Sequence, residues 1–362
     1  MSSIWNRNLK LSIFGESHGD GIGIVIDGFE AGIKLDFELI MHEMARRKPG
    51  NILSTPRSED DFPNIISGIL DGITTGAPIC AIIENKNIRS SDYNKFIPRP
   101  SHADYTAFVK YNGFNDIRGG GHFSARITAG LTFAGTLAKQ KLAQMGILIA
   151  GHILSVGHEK DRCFCDCDFN KDVFYSLNQS ELPVLNLYKE NIFTQIIKNA
   201  RDERTSIGGV IELAAIGVPA GIGEPFFDSM ESILSHLFFS IPAVKSVEFG
   251  AGFSLSKMFG HEANDSPFID KNGNISFKTN HNGGINGGIS NGMPIISKIG
   301  FKPTPSIARM QDTVNLETFQ NIQTEITGRH DPAVIVRAVP VAEAAMAIGI
   351  LDLYYENLKH EK

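Results

Sequence analysis

The chain alternates short apolar runs with segments in which apolar residues recur at helical spacing. The short runs are bounded by Gly, Pro, Asn or Asp, a pattern typical of β-strands. They lie at residues 9–14, 23–26, 78–83, 147–156, 209–216, 246–249 and 333–337. We expect each of them to form a strand.

Helical spacing predicts helices between these runs. Asp36 precedes a segment that a Pro-Gly pair ends, so a capped helix is expected there. Ser101 with Asp104, and Asp228 with Glu231, have the spacing of capping boxes. The predicted helices span residues 37–47, 102–112, 123–145, 229–239 and 341–355.

This mixture of strands and helices indicates an α+β or irregular α/β fold. No strand leads into a Gly-x-Gly-x-x-Gly turn and a helix, so the fingerprint of a dinucleotide-binding unit is missing. The polar stretch 159–190 is typical of a surface excursion rather than of a linker. We therefore expect a single domain over residues 1–362.

Composition narrows the classes of protein. Hydrophobic residues make up 42% and charged residues 20%, as in globular proteins with a sizeable core. The net charge of -6 offers no broad positive surface to nucleic acid or acidic membranes, so neither is an expected partner and any anion site must be local. The most apolar stretch, 333–351, contains Arg337, Pro340 and Glu343, which favours a core segment over a membrane span. Residues 1–10 lack a signal-peptide pattern, so we expect a cytoplasmic protein.

The cysteines do not predict a metal site. Cys163, Cys165 and Cys167 alternate along a polar run, without the two-residue gap of zinc knuckles, and Cys80 lies in an apolar run. Reduced thiols in a surface turn are the better interpretation of the alternating three.

Two histidine motifs are candidates for proton transfer. His18 lies in Phe-Gly-Glu-Ser-His-Gly after a predicted strand, and a histidine can give or take a proton near neutral pH. This stretch formally matches the Gly-x-Ser-x-Gly of serine hydrolases, but the glycines after Ser17 disfavour the helix which that motif requires. His102 is expected at the first position of its helix, where free N–H groups favour anions, with Arg99 nearby. Packing at a helix start explains His102 equally well.

Three further motifs suggest phosphate binding or proton relay. In Arg-Gly-Gly-Gly-His-Phe-Ser-Ala-Arg at 118–126, three glycines lead into a predicted helix and can cradle a phosphate on backbone N–H groups. The glycine-rich loop 283–288 with Lys-Pro-Thr-Pro-Ser at 302–306 suits a planar cofactor that bears a phosphate, although turns explain it as well. In Gly-Arg-His-Asp-Pro at 328–332, Asp331 beside Arg329 would stay ionised and could relay a proton.

Together, these motifs resemble those of the chorismate synthases, in order and over nearly the whole chain. Further matches are Arg-Arg-Lys-Pro-Gly at 46–50, Arg-Pro-Ser-His-Ala-Asp-Tyr at 99–105 and Gly-Val-Pro-Ala-Gly-Ile-Gly-Glu-Pro at 217–225. So many matches in order are far more specific than any single motif.

The resemblance implies a β-α-β sandwich of antiparallel sheets enclosing helices, assembled as a homotetramer. It implies conversion of 5-enolpyruvylshikimate 3-phosphate to chorismate by 1,4-anti elimination of phosphate, the last step of the shikimate pathway in aromatic amino acid biosynthesis. It also implies reduced FMN as the cofactor in a reaction that is redox-neutral overall, with NADPH as a candidate source of reducing equivalents.

Roles follow for the residues that match the family motifs. His18 and His102 match acids that act toward the reduced flavin and the departing phosphate, while Ser124 and Asp331 match a proton relay to flavin N5. The matches to substrate-binding arginines are Arg47, Arg99, Arg126 and Arg337. The matches to flavin-binding positions are Arg47, Ser124, Ala243, Gly287, Lys302, Pro303, Thr304, Pro305, Ser306 and Arg329. No metal site is expected.

Some positions depart from the family pattern. His122 and Phe123 stand where many members have Arg and Ser, and Pro242 stands where many have Asn. These departures concern flavin affinity rather than proton transfer. Two other classes of function stay open from sequence: an NAD(P)H-dependent flavin oxidoreductase, and a non-catalytic protein that binds a phosphorylated ligand.

Overall fold

The computed structural model describes residues 3–49, 61–86, 93–166, 170–326 and 331–360. Two five-stranded sheets, each with antiparallel pairing throughout, form its framework. Sheet one contains, in spatial order, β1 (Ile4–Asn6), β2 (Lys10–Gly15), β3 (Gly21–Asp27), β7 (Ile79–Glu84) and β4 (Asn64–Ser67). Sheet two contains β11 (Val244–Phe249), β16 (Ile295–Phe301), β10 (Gly209–Ile216), β8 (Leu148–Val156) and β9 (Glu159–Lys160).

Short hairpins and helices complete the described part of the chain. The hairpins pair β5 (Ile69–Leu70) with β6 (Ile73–Thr74), β12 (Pro267–Ile269) with β13 (Ile275–Phe277), β14 (Ile285–Asn286) with β15 (Ile289–Ser290), and β17 (Met310–Asn315) with β18 (Gln320–Glu325). The helices are α1 (Phe37–Arg47), α2 (Asp104–Lys110), α3 (Thr128–Gln144), α4 (Lys171–Gln179), α5 (Tyr188–Asp202), α6 (Met230–Ser240), α7 (Gly260–Ala263) and α8 (Ile335–His360).

Helices α3 and α8 lie between the two sheets and pack against each other. Helix α3 contacts β3 and β7 of sheet one and β8 of sheet two, while α8 contacts β8 and β10 of sheet two. Helices α1 and α6 flank the pair. This layering confirms the expected α+β fold, with antiparallel sheets enclosing helices. One hydrophobic cluster includes residues of both sheets and of these helices. The single domain over residues 1–362 stays a prediction.

Small residues bring α3 close to its neighbours. A Cβ at Gly135 would lie 2.2 Å from the Cβ of Ala344 on α8, and a Cβ at Gly130 would lie 3.3 Å from the Cβ of Ile24 on β3. Glycine within a helix costs about 0.5–1 kcal/mol relative to alanine. Glycine at 135 allows α3 and α8 to cross closely, since no larger residue fits there. The packing that this close crossing permits offsets the cost.

A buried ionic network joins α1, α3 and α8. Lys139 Nζ lies 2.8 Å from carboxylate oxygens of both Glu43 and Glu343, and Arg46 donates to the same two side chains at 2.9 and 2.7 Å. Burial opposes ionisation of Glu343, but Arg46 and Lys139 outweigh it and lower its pKa to about 2. Two cations thus balance two carboxylates inside the helical layer.

The predicted strands are confirmed to within a few residues, except that at 333–337. That prediction was wrong, because α8 already begins at Ile335 and contains Pro340. A short buried apolar run fits a strand or a buried helix equally well. The cap at Asp36 is confirmed, since its carboxylate accepts a hydrogen bond from the Leu39 amide at 3.0 Å.

Of the other four helix starts, three were predicted too early and that of α8 too late, since α8 begins at Ile335 rather than at residue 341. Helix α2 begins at Asp104, so His102 precedes the helix and Ser101, with a φ of 57°, is not its cap. Helix α6 is capped by Ser229 rather than by Asp228. Helix α3 begins at Thr128, because two 3-10 segments, Arg118–Phe123 and Ala125–Ile127, occupy the residues before it.

Two further expectations concerned the cysteines of the polar stretch 159–190 and the possibility of a membrane-spanning helix. The sulfurs of Cys163 and Cys165 are joined in a disulfide, so the prediction of reduced thiols was wrong for this pair. Cys167 lies outside the described residues. Within the described ranges, no helix has the length and apolar character needed to cross a membrane.

Candidate active site

One cavity of about 860 Å³ is lined by loops from both sheets. Its volume lies near the upper end of the range of about 300–1,000 Å³ that is usual for small-molecule sites. The predicted site residues that line it are His18, Arg99, His102, Ser124, Arg126, Ala243, Lys302, Thr304, Pro305, Ser306, Asp331 and Arg337. Residues from six separate stretches of the chain therefore meet here.

His18 lies in the loop between β2 and β3 and is 6% exposed. Its Nδ1 is 2.9 Å from the hydroxyl of Ser17, and its ring meets the ring of Tyr93 edge-on at a centroid distance of 5.4 Å. The Ser17 amide donates to the Gly121 carbonyl at 3.1 Å, which ties this loop to the glycines. The imidazole is therefore held from two sides at the cavity wall.

His102 lies just before α2 and shares a carboxylate with Arg99. Its Nδ1 is 2.6 Å from Oδ1 of Asp104. Arg99 donates to both oxygens of the same carboxylate, at 2.7 and 2.8 Å. Burial opposes the ionisation of Asp104, but hydrogen bonds from Arg99 and His102 outweigh it, so the pKa of Asp104 lies well below its usual range.

The three glycines at 119–121 separate the two histidines. Gly119, Gly120 and Gly121 have φ values of 60°, 87° and 52°, a backbone region that residues other than glycine rarely adopt. A Cβ at Gly119 would lie 2.1 Å from the His18 ring, and a Cβ at Gly120 would lie 3.1 Å from the His102 ring. The missing side chains thus set the spacing of the imidazoles. Phosphate cradling by this loop stays a prediction.

Buried carboxylates hold the arginines at the cavity wall. Arg126 and Arg47 both donate to Asp61, which is 3% exposed. Arg126 also donates to the side-chain oxygen of Asn85 at 3.0 Å and to the Glu84 carbonyl at 3.1 Å. Burial raises the pKa of Asp61, but the charges of Arg47 and Arg126 outweigh this effect and lower it.

Arg337 joins the same cluster from α8. It donates to Asp331 through Nη1 and to the Arg47 carbonyl through Nε at 3.1 Å. Burial lowers its pKa, and the neighbouring Asp331 opposes that effect. Guanidinium groups from three separate elements therefore converge on one region, which suits a substrate with several negative charges.

The segment after β16 forms another wall of the cavity. Lys302 donates to the Ser101 carbonyl at 2.5 Å, and its amide donates to the carbonyl of Ala243, which has a φ of 72°. Partial burial and the charge of Lys245 lower the pKa of Lys302. The Thr304 hydroxyl is buried without a hydrogen-bond partner among the described residues. A ligand with acceptor oxygens would complete this wall.

Comparisons with known proteins identify the family of this chain. A family model described as chorismate synthase matches residues 9–355. The chain belongs to the chorismate synthase family. Membership implies a requirement for reduced flavin and a small-molecule substrate.

Similar proteins span nearly the same length. Chorismate synthases of Dehalococcoides mccartyi and Methanocaldococcus jannaschii are both 44% identical to this chain, covering 98% and 95% of it and 96% and 94% of themselves. A crystal structure of a chorismate synthase superposes with a TM-score of 0.75 at 28% identity, covering 97% of this chain and 92% of its own. Fold and sequence therefore give the same family.

Not every residue matched to a family motif lies on the cavity. Arg47 lines an adjoining recess of about 20 Å³. Pro303 and Gly287 are not among the lining residues; Gly287 lies at the tip of the β14–β15 hairpin, where a Cβ would meet no atom within 4 Å. Arg329 lies outside the described residues.

Sequence reasoning missed several side chains that hold this candidate site together. Asp61 and Asn85 fix the arginines, Tyr93 packs on His18, and Asp104 was interpreted only as part of a cap. The His-Ala-Asp spacing could have indicated the pair of His102 with Asp104. No local signal points to Asp61, because its partners lie 14 and 65 residues away.

Proposed function

We propose that this chain converts 5-enolpyruvylshikimate 3-phosphate to chorismate by 1,4-anti elimination of phosphate, with reduced FMN as its cofactor. Family membership and the names of its relatives support this reaction, the last step of the shikimate pathway. The observation that carries the assignment is the convergence of His18, His102 and three arginines on one cavity.

The arginines bind the anionic groups of the substrate. Arg99, Arg126 and Arg337 line the cavity, and Arg47 lines the adjoining recess together with Arg337. The guanidinium groups stabilise the charge that grows on the phosphate as its C–O bond breaks, since they are fixed before the reaction begins. Asp61 holds Arg47 and Arg126, Asp331 holds Arg337, and Asp104 holds Arg99.

The histidines supply protons to anionic atoms in the cavity. His18 and His102 lie on either side of the glycine loop, each beside its own hydrogen-bonding partner, Ser17 or Asp104. Such placement lets one act toward the departing phosphate and the other toward the cofactor. Ser124 and Asp331, also on the cavity wall, hold or pass on the proton that leaves the substrate carbon.

The residues present fit a flavin bearing a phosphate. The Thr304 hydroxyl has no hydrogen-bond partner in the described part of the chain. The Lys302 ammonium lies at the same wall, and Ala243, Pro305 and Ser306 complete it. When bound, reduced FMN supplies an electron-rich ring that favours breakage of the allylic C–O bond. NADPH is the proposed source of the reducing equivalents.

A homotetramer is part of the proposal. Phe226 and Phe227 are 88% and 93% exposed in the single chain, and large exposed apolar side chains often mark contacts between subunits. Light scattering coupled to gel filtration measures the assembly state, and a monomer would contradict this part.

One anaerobic assay tests the reaction. Purified protein is mixed with 5-enolpyruvylshikimate 3-phosphate and FMN that has been reduced beforehand, with and without NADPH. We expect equal amounts of phosphate and chorismate, and many turnovers for each flavin. Oxidation of one flavin per product would instead indicate a flavin oxidoreductase, while binding without any product would indicate a non-catalytic protein.

A further inference from the structure

The carboxylate of Asp104 determines which nitrogen of His102 carries hydrogen. Oδ1 of Asp104 lies 2.6 Å from His102 Nδ1. Burial raises the pKa of Asp104, but hydrogen bonds from Arg99 and His102 outweigh burial and hold this pKa well below its usual range. An ionised carboxylate only accepts hydrogen bonds. Nδ1 must therefore be the donor, and the second nitrogen, Nε2, remains for other contacts.

Arg99 fixes the carboxylate that fixes the histidine. Its backbone amide and Nε both donate to Oδ2 of Asp104, at 3.0 and 2.7 Å, and its Nη2 donates to Oδ1 at 2.8 Å. Nη2 and His102 Nδ1 lie 3.1 Å apart because both point to the same oxygen. With these donors in place, the carboxylate has little freedom to rotate away from His102.

The opposite edge of the ring faces the glycine loop. A Cβ at Gly120 would lie 3.1 Å from both Cε1 and Nε2 of His102, so the absent side chain leaves this edge uncovered. His102 lines the cavity, while Asp104 is not among its lining residues. Lys302, which also lines the cavity, is directed to the Ser101 carbonyl.

We propose that Asp104 is a positioning residue, which holds Nδ1–H of His102 and so presents Nε2 to the cavity. This inference rests on the proposed function. In the proton step, the Nε2–H bond breaks, its electron pair stays on Nε2, and the proton passes to an anionic acceptor in the cavity. The Nδ1 proton stays on the imidazole and remains hydrogen-bonded to Asp104 throughout. The carboxylate stabilises the charged imidazole before transfer.

A double-mutant cycle tests whether Asp104 acts through His102. General acid catalysis contributes about 10²- to 10⁴-fold, so His102→Asn should lower kcat within that range. Asp104→Asn should lower kcat by at least about 10-fold, but by no more than His102→Asn, with little change in KM. In the His102→Asn background, Asp104→Asn should have no further effect on kcat. Equal factors in both backgrounds, or a change confined to KM, would overturn the proposal; the latter would place the effect on Arg99.

A spectroscopic readout is independent of activity. In protein labelled with ¹⁵N-histidine, protonated and bare ring nitrogens resonate in distinct ranges, and the His102→Asn spectrum assigns the signals. At pH 9 we expect hydrogen on Nδ1 in the wild type and a shift toward the Nε2–H form in Asp104→Asn. A bare Nδ1 in the wild type would overturn the proposal even if the variant fails to fold.

The two readouts separate this inference from the proposed function. If the wild type releases no phosphate while His102 carries hydrogen on Nδ1, the reaction assignment fails and the pairing stands. If phosphate is released and Nδ1 is bare, the pairing fails and the reaction stands.

Discussion

Gly119 lies directly against the imidazole of His18. A Cβ at Gly119 would come within 2.1 Å of His18 Cε1 and 2.3 Å of the Ser17 hydroxyl. Side chains cannot be accommodated at such distances, and the φ of 60° is itself unfavourable for them. The position of this proposed catalytic histidine therefore depends on the absence of a side chain at residue 119 in the adjacent loop.

Replacing Gly119 by alanine should displace His18 and reduce catalysis. Misplacement of a catalytic group by about 1 Å can cost about 10²-fold in rate, so we expect kcat for phosphate release to fall by about that factor. Gly273→Ala is the matched control, since its φ of 84° carries similar backbone strain but a Cβ would meet no atom within 4 Å. Equal kcat values for the two variants would contradict the role of the Gly119 contact.

Asp61→Asn should destabilise the fold as well as the site. The buried carboxylate lies between Arg47 and Arg126, and a neutral amide would leave their charges uncompensated. Breaking a buried ion pair in this way costs about 3–5 kcal/mol. Urea unfolding measures the loss. Asp27→Asn, which removes an exposed partner of Lys10, should cost less than about 1 kcal/mol. Similar losses in both variants would show that burial of Asp61 is unimportant.

Ionisation of Glu343 should make the free energy of unfolding depend on pH in the acid range. Its pKa falls to about 2 in the folded protein because Arg46 and Lys139 outweigh the effect of burial, and its usual value is 4.5. Because ionisation favours the folded state, this contribution is complete above about pH 4.5 and is lost as pH falls toward 2.

Glu343→Gln should therefore be less stable than the wild type at pH 7, by about 3–5 kcal/mol, and the difference should shrink below pH 4.5. Urea unfolding between pH 7 and 3.5 measures it. The control Glu203→Gln removes an exposed carboxylate, so its free energy of unfolding should be almost equal to that of the wild type at both pH 7 and pH 3.5. A difference between Glu343→Gln and the wild type that is constant with pH would refute the link to ionisation.

Two glycine-to-alanine changes should have different effects on the central helices. Alanine normally favours a helix over glycine by about 1 kcal/mol. At Gly135, the new Cβ would collide with the backbone and Cβ of Ala344, so we expect a net loss of about 1–3 kcal/mol. At Gly349, it would meet the ends of Leu234 and Leu237, which can rotate, so the loss should be smaller. Thermal unfolding of both variants decides, and a more stable Gly135→Ala protein would exclude a tight crossing of α3 and α8.

Local patterns predicted the strands because each strand carries its own apolar run and turn residues. The strand β10 was predicted at residues 209–216 and observed there, and Asp36 caps α1 as expected. The early start predicted for α3 failed because Ser124 has an extended backbone, with a ψ of 144°, and a 3-10 segment at Ala125–Ile127 precedes the helix. The strand predicted at 333–337 failed because a fully buried run loses the periodicity that distinguishes strand from helix.

By itself, the sequence determined the family and the order of most strands, and it supplied the candidates for proton transfer and anion binding, since these depend on residue type and short spacing. Only the tertiary structure decided which groups touch. It placed Asp61 between Arg47 and Arg126, Gly119 against His18, and the carboxylate of Asp104 on His102. Most of these contacts join residues far apart in the chain, and their geometry follows from how the two sheets close over the helices.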